Sequence, residues 1–400
     1  MVAVCCVLHS QYECKVFSEA KFGQWLNVRE VSRINSQQQV HQLTSPKIIS
    51  DESFHSKAKY KKFVSYLPDV LKDVEEKAVN VDPIEKGKRT VDMIAYQADG
   101  GQKYAGICTA ETFQVLAPES MQSEENIRKA YILGWCVEFI IDCFNMIDDI
   151  IDRAETRRNK PCWYTLPENQ KTAAYDAWIL ELTANYLLHK HFSQSDYFPR
   201  LQEMFTHTLY STAMGQFLDT EAIQGGKELT SERYKLIADN ISVYIAGVFP
   251  VLLGMTLAGY TDPSIIKRAN PFLRELGHFY LVQDDYLDCF GDPEKNGTVG
   301  TDIQEGKCRW LAVTCYERAT SAQREYFKLH YGKNNKESIE KIKQLYMEMN
   351  LPQIYDDYTN ELNSRLLNWI DQEPDRKMQI LYNKLREPIF DSNSNGGLFT

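Results

Sequence analysis

The 400-residue chain has ten cysteines but no Cys-X-X-Cys pair. That removes the usual spacing of a structural zinc site. Cys136, Cys143 and Cys315 sit among apolar neighbours and read as reduced, buried thiols, not as a disulfide framework. Positive charge is also short. Lys and Arg number 45 against 55 Asp and Glu, a formal net charge of −10, which argues against a nucleic-acid groove. An acidic chain that handles an anion needs metal cations or a local basic cluster. No clean membrane-length run is present. The most apolar stretch, 132–151, carries Glu138, Asp142, Asp148 and Asp149, and a spanning helix of about 20 residues does not tolerate four acids. MVAVCCVL at the start lacks a preceding basic residue, so it is a poor signal peptide. The sequons at Asn240 and Asn296 then read as chance. A cytoplasmic location is expected, with a mitochondrial transit segment in the charge-mixed residues 1–50 as the alternative. Alternating strand-like runs are nearly absent, which excludes a sheet-based fold.

What remains is helical. In KKFVSYLPDVLKDVEEKAV the apolar positions Phe63, Tyr66, Leu67, Val70, Leu71 and Val74 mark one face of a helix. Gly100-Gly101 interrupts. A long helix is expected from about Glu124 to Ile151, apolar almost all round and therefore buried. Further helical blocks span roughly 169–191, 197–223, 231–260, 262–289, 303–331, 335–349 and 353–385. With 43% hydrophobic residues the expectation is an all-α bundle around a central cavity. Residues 1–52 read as a poorly ordered extension, 53–388 as the helical domain, and 389–400 as a mobile polar tail.

The chemistry sits in two short runs. Asp148-Asp149-Ile150-Ile151-Asp152 and Asp284-Asp285-Tyr286-Leu287-Asp288 each end a long apolar helix. The first and last Asp of each run are four apart, so their carboxylates project from one face, one turn apart. Such pairs repel without a cation. Two of them facing each other across a cavity make an oxygen-rich cage that suits Mg²⁺, shared with substrate phosphates. A lone run of this kind is most often a solvated acidic helix end. Two of them, each behind an apolar helix, are not. All six aspartates are candidate metal ligands. Arg157 and Arg158 follow the first run and Lys307 follows the second. Taken singly each would be a surface cation. Beside the acidic runs they become candidate diphosphate ligands.

At these residues the chain resembles the farnesyl diphosphate synthase family of trans-isoprenyl diphosphate synthases. The resemblance is carried by LGWCVEF, DDIIDRAETRRNKPCWYTLP, MGQFLD and QDDYLDCFGDP followed by GTDIQEGKCRWL, and it covers about residues 55–385. It implies the isoprenoid synthase-type helical bundle with a deep central cavity, three Mg²⁺ ions on the aspartate runs, an allylic diphosphate bound through them, and a homodimer. It places Cys143 and Phe144 at the chain-length floor, and Gln216 and Asp219 on the cavity.

Several departures from the family pattern shape the functional expectation. The acceptor signature GGKxxRG reads here Gly100-Gly101-Gln102-Lys103-Tyr104-Ala105-Gly106. The family's Lys therefore falls on Gln102, its Arg on Ala105, and a nearby Gln on Ile141. Two further Lys positions fall on Ile241, with Ser242 in place of the following Thr, and on Thr298. Losing two or three charge-assisted bonds, each about 1.5–3 kcal/mol, weakens a diphosphate site at least about a hundredfold. The expectation from this pattern is a Mg²⁺-dependent terpene synthase, resembling insect enzymes derived from the family. It would ionise farnesyl diphosphate and release a sesquiterpene hydrocarbon or alcohol. The alternatives are a short-chain prenyltransferase making geranyl or farnesyl diphosphate, and a non-catalytic regulatory paralogue. Intact aspartate runs argue against the last.

Overall fold

A computed structural model describes residue 54 and residues 56–85, 87–224, 229–292 and 300–390. The expected extension over 1–52, position Thr298 and the tail from residue 391 lie outside the described residues.

The described chain is predominantly helical, as expected. In order it runs α1 (Lys57–Val64), α2 (Leu67–Val81), α3 (Lys88–Ala98), α4 (Tyr104–Leu116), α5 (Glu124–Asp152), α6 (Ala173–Phe192), α7 (Phe198–Gln224) and α8 (Ser231–Ala238). A π-helical segment (Asp239–Val248) joins α8 to α9 (Phe249–Leu257). Then come α10 (Pro263–Phe290), α11 (Asp302–Glu305), α12 (Trp310–Arg318), α13 (Ser321–His330), α14 (Lys336–Glu348), α15 (Leu351–Gln372) and α16 (Arg376–Phe390). Among the described residues the strands are β1 (Thr156–Arg157) and β2 (Lys160–Pro161), an antiparallel pair.

Three expected blocks are broken. The first helix divides after Val64, where Pro68 sits in the first turn of α2 and cannot donate into a preceding turn. The apolar face still holds: Phe63, Val70 and Val74 are buried, and Tyr66, Leu67 and Leu71 pack against them. The 303–331 block divides into three helices. Gly306 turns left-handed at φ 73, and Thr320 with Gln323 forms a reciprocal cap that starts a new helix. The 353–385 block breaks at Glu373, just before Pro374.

Helix α5 begins cleanly. The Ser123 hydroxyl accepts from the Asn126 N–H, and Glu124 and Glu125 complement the positive helix end. It ends at Arg153, whose φ of 55 stops the helix just past Asp152. Its packing is close. A Cβ on Gly134 would lie 2.4 Å from the Gly106 carbonyl oxygen of α4, so the two backbones touch. A second glycine contact joins the π segment to α10: a Cβ on Gly247 would lie 2.6 Å from the Gly277 Cα. The first crossing fixes α5 against α4 and the second fixes α10 against the π segment; residues of α5 and α10 both line one cavity. By length and composition α5 and the Ser231–Leu257 stretch could each cross a membrane, yet most of both apolar windows is buried inside the protein.

Candidate functional site

The cavity holds about 810 Å³. Its walls are α5, α7, the π segment, α10 and the loop around α11. Asp148, Asp152, Asp284 and Asp288 all stand on this wall, as the four-residue spacing requires. Ile141, Phe144 and Asn145 lie deeper along α5, with Tyr280 and Leu281 deeper along α10. Ile141 is seven residues before Asp148, so it sits about 10 Å further down the helix axis. The result is a charged mouth over a largely apolar shaft.

An ion pair ties the first acidic helix end to the loop after the second. Lys307 Nζ lies 2.6 Å from Asp152 Oδ2, although the two are 155 positions apart in sequence. It also reaches Glu305 at 3.1 Å. Burial and the neighbouring Arg309 work against the Lys307 charge, but Asp302, Asp148 and Asp152 outweigh them and push its pKa up. The carboxylates show the opposite stress. Burial pushes Asp148 up to about 6, with Asp152 adding to the effect and Lys307 opposing it. Burial and Asp302 also raise Asp284, which meets the solvent inside the cavity but is surrounded by protein. Asp288 is raised by burial and by Asp302, although it accepts from the Thr301 and Asp302 N–H groups at 2.9 and 3.3 Å.

This donor set fits a divalent cation. The groups are oxygen-only and crowded, and Asp148, Asp284 and Asp288 are destabilised as anions by their burial. Among the described residues no three acids, histidines or cysteines already converge on one point. A cation held here would therefore complete its shell with substrate oxygens and water.

The middle aspartates behave differently. One residue on from the wall position is about 100° round the helix; Asp149 still lines the cavity but is engaged by Arg157, and Asp285 turns into protein. Asp149 is buried and takes Arg157 Nε and Nη2, each at 2.8 Å. Asp285 is not on the cavity wall; it accepts from the Trp310 N–H at 2.8 Å and faces Arg309 Nε at 3.5 Å. Each of these two expected metal ligands is thus engaged in this structure, Asp149 by Arg157 and Asp285 by the Trp310 N–H.

Sequence reasoning missed Arg309. It lines the cavity, grips Asp219 with two bonds of 2.8 and 2.9 Å, and lies 3.4 Å from Asp302. Asp219 is thus an anchor for Arg309 and not a cavity residue. The signal was present: GTDIQEGKCRW holds a third acidic pair and a second cation two residues after Lys307. Gln216 and Phe144 are on the wall as expected. Cys143 is not. It is buried beside Glu181 of α6, because its position on α5 faces the neighbouring helix. Ile241 and Ser242 line the cavity, and the Ser242 hydroxyl donates to the Gly277 carbonyl at 3.2 Å.

The hairpin carries the basic pair. Arg158 and Asn159 are both left-handed, φ 54 and 59, the geometry of a tight two-residue hairpin turn. Arg158 then lies over the Gly100-Gly101 loop: a Cβ on Gly101 would stand 2.6 Å from Arg158 Nε. Arg158 Nη1 donates to the Gln97 carbonyl and Nη2 to Asp142 Oδ1, both at 2.7 Å. Gln102 is half-buried and Ala105 buried, on the same loop and helix start, while Ile141 is on the cavity wall.

The chain matches the family Polyprenyl synthetase over residues 88–349. It is 36% identical over 311 residues to farnesyl pyrophosphate synthase of Murgantia histrionica, covering 78% of this chain and 76% of that one. It is 31% identical over 333 residues to farnesyl pyrophosphate synthase of Gallus gallus, covering 82% and 91% respectively. Among solved structures, the T. brucei farnesyl diphosphate synthase complexed with risedronate superimposes with a TM-score of 0.77 at 24% identity, over 84% of this chain and 99% of that one. At that identity the structural likeness speaks to the fold, and it agrees with the isoprenoid synthase bundle expected from sequence. The relatives correct the functional expectation. They are synthases that transfer prenyl groups, not lyases, so the terpene-synthase reading drawn from Gln102, Ala105 and Ile141 is withdrawn. Replaced acceptor cations predicted lost chemistry, whereas similarity across most of the chain favours prenyl transfer.

Proposed function

We propose, because the chain belongs to the polyprenyl synthetase family, that it is a short-chain prenyltransferase making geranyl or farnesyl diphosphate. Its donor is an allylic diphosphate and its acceptor isopentenyl diphosphate. The observation that carries this reading is the single cavity in which two aspartate pairs from α5 and α10 share one mouth above an apolar shaft. The mouth suits a diphosphate and the shaft suits a hydrocarbon chain.

In the reaction, the allylic C1–O bond breaks and its electron pair leaves with the diphosphate. The acceptor double bond attacks C1, and a proton departs from the acceptor's C2. Magnesium, when bound, supplies positive charge to the departing diphosphate; Asp148, Asp152, Asp284 and Asp288 are its candidate holders, and the family resemblance implies three ions. Lys307 and Arg309 bring fixed cations to the same mouth. Asp152 and Asp219 hold them in place, so little reorganisation is needed as charge develops on the leaving group. Ile141, Phe144 and Ile245 line the shaft and exclude water from the allylic cation.

A homodimer, which the resemblance implies, is part of the proposal. Most of α5 is covered by its own chain, although Ile147 and Ile151 are exposed. Exposed apolar residues also line α6 at Tyr175, Trp178 and Leu182, and α7 at Tyr210, Met214 and Phe217. Each set follows helical spacing, and together they are the sort of surface a second copy covers.

The test is product chain length. Purified protein with Mg²⁺, dimethylallyl diphosphate and isopentenyl diphosphate is expected to yield geraniol or farnesol after phosphatase treatment. Absence of any elongated prenyl alcohol would refute the proposal.

A further inference from the structure

Beside the cavity mouth lies a corner of buried charge that the reaction as described does not use. Lys103, at the left-handed start of α4, is fully enclosed: its side chain is 0% exposed. Its Nζ lies 3.8 Å from Asp142 Oδ2 and 4.0 Å from Glu138 Oε2. Arg158 Nη2 donates to Asp142 Oδ1 at 2.7 Å. Glu138 Oε1 accepts from the Gly106 N–H at 2.8 Å. Two cations and two carboxylates therefore balance.

Asp142 is the unusual member. It is 1% exposed, on an otherwise apolar stretch of α5, and it is not on the cavity wall. Its Oδ2 is buried with no hydrogen-bond partner, and so is Arg158 Nε. An aspartate in such a place is costly unless its charge answers another one. Arg158, in contrast, does reach the cavity wall. It also lines a narrow cleft on its other side, with room for about one water (10 Å³), bounded by Arg157, Lys160 and Trp163. The surroundings are cationic, yet Arg157 is paired with Asp149 and Lys160 with Asp99. Arg157 and Arg158 both face the two spaces; Arg157 is held by Asp149, and Asp142 holds one arm of the Arg158 fork. With that arm released, Nη2 and the unpartnered Nε would present the edge of the guanidinium that takes two oxygens of one phosphate.

We propose that Asp142 is an internal counter-ion that competes with the acceptor's diphosphate for Arg158, and so sets acceptor affinity as a positioning residue. This rests on the acceptor being isopentenyl diphosphate, as argued above. The acceptor must displace a carboxylate that is already hydrogen-bonded and cannot leave, so it binds against a built-in competitor. The pairing also accounts for Lys103, which otherwise would be a buried cation next to a single acid.

The test is ternary binding. Full-length protein with Mg²⁺ is saturated with a non-ionisable S-thiolo analogue of dimethylallyl diphosphate, and isopentenyl diphosphate is titrated by calorimetry. Asp142→Asn keeps the shape and removes the charge. It is expected to tighten acceptor binding by about tenfold or more, the factor one charge-assisted hydrogen bond supplies. In turnover, KM for isopentenyl diphosphate should fall by a similar factor while kcat moves less. Asp142→Glu should bind like wild type, and Asp142→Asn with Arg158→Gln should lose the gain. If Asp142→Asn does not fold, Asp142→Asn with Lys103→Met removes one charge of each sign and takes the same titration. Unchanged or weaker binding in the folded variant, or a gain that survives Arg158→Gln, overturns the inference. Turnover of the wild type tests the acceptor's identity separately, because the binding readout needs no product.

Discussion

Lys307→Met removes the cation that ties the first acidic helix end to the loop after the second. Lys307 is 7% exposed and contacts Asp152 at 2.6 Å and Glu305 at 3.1 Å. Both carboxylates retain some solvent, 18% and 21% exposed, so the stability cost falls below that of a fully buried pair. About 1–3 kcal/mol is expected, the cost of leaving charged partners unpaired. For a domain of this size that lowers Tm by roughly 1–4 °C. The effect on activity is distinct. A cation facing a diphosphate is worth about 1.5–3 kcal/mol, so kcat/KM for the allylic substrate should fall about 10- to 150-fold. Added Mg²⁺ should restore part of the lost Tm, since the freed carboxylates gain another cation, but not the lost kcat/KM. The assays are thermal denaturation with and without EDTA, and steady-state kinetics at saturating acceptor. A folded Lys307→Met protein that keeps kcat/KM within about threefold of wild type would refute the placement of Lys307 at the diphosphate.

Other outcomes follow from the same geometry. Asp148→Ala or Asp284→Ala should abolish turnover while the circular dichroism spectrum stays helical; undiminished activity in Mg²⁺ contradicts the metal assignment. Asp148 has a raised pKa in the folded protein, about 6, so its ionised form costs stability. That cost is full above about pH 6 and disappears as pH falls toward the unfolded value near 4. In EDTA, Asp148→Asn should therefore raise Tm at pH 7.5 and raise it less at pH 4.5, and an equal shift at both would be a failure. Trp178→Glu places a charge in the exposed apolar row of α6 and should convert a sedimenting dimer to a monomer. A wild-type monomer at micromolar concentration removes the dimer proposal outright.

The wall aspartates were legible because helix geometry is local. Residues i and i+4 share a face whatever surrounds them, so Asp148 with Asp152 and Asp284 with Asp288 could be paired on paper. The same geometry, applied one residue further, would have turned Asp285 off the wall, whereas Asp149 stays on it beside Arg157. Cys143 failed for a related reason: residues adjacent in sequence lie about 100° apart on a helix, and Phe144 took the cavity while Cys143 took the α6 side. Arg309 was hidden because its role depends on Asp219, 90 positions away, and no sequence period reports such a pair. Helix breaks at Gly306 and Glu373 were under-read, although a left-handed glycine and a proline mark them. The function was misjudged at Gln102, Ala105 and Ile141, where missing cations were equated with missing chemistry. Lys103 and Asp142 were not read as a pair, because their 3.8 Å approach joins positions on two helices, far apart in sequence.

The central claim is that this cavity joins an isopentenyl unit to an allylic one. Isopentenyl diphosphate labelled with ¹⁴C, mixed with unlabelled dimethylallyl diphosphate, Mg²⁺ and wild-type protein, measures that directly. Allylic diphosphates hydrolyse in acid and isopentenyl diphosphate does not. Label should pass into the acid-labile, solvent-extractable fraction in proportion to time and enzyme, and should stop doing so in EDTA. Label that stays wholly acid-stable with a folded, Mg²⁺-loaded protein contradicts the account.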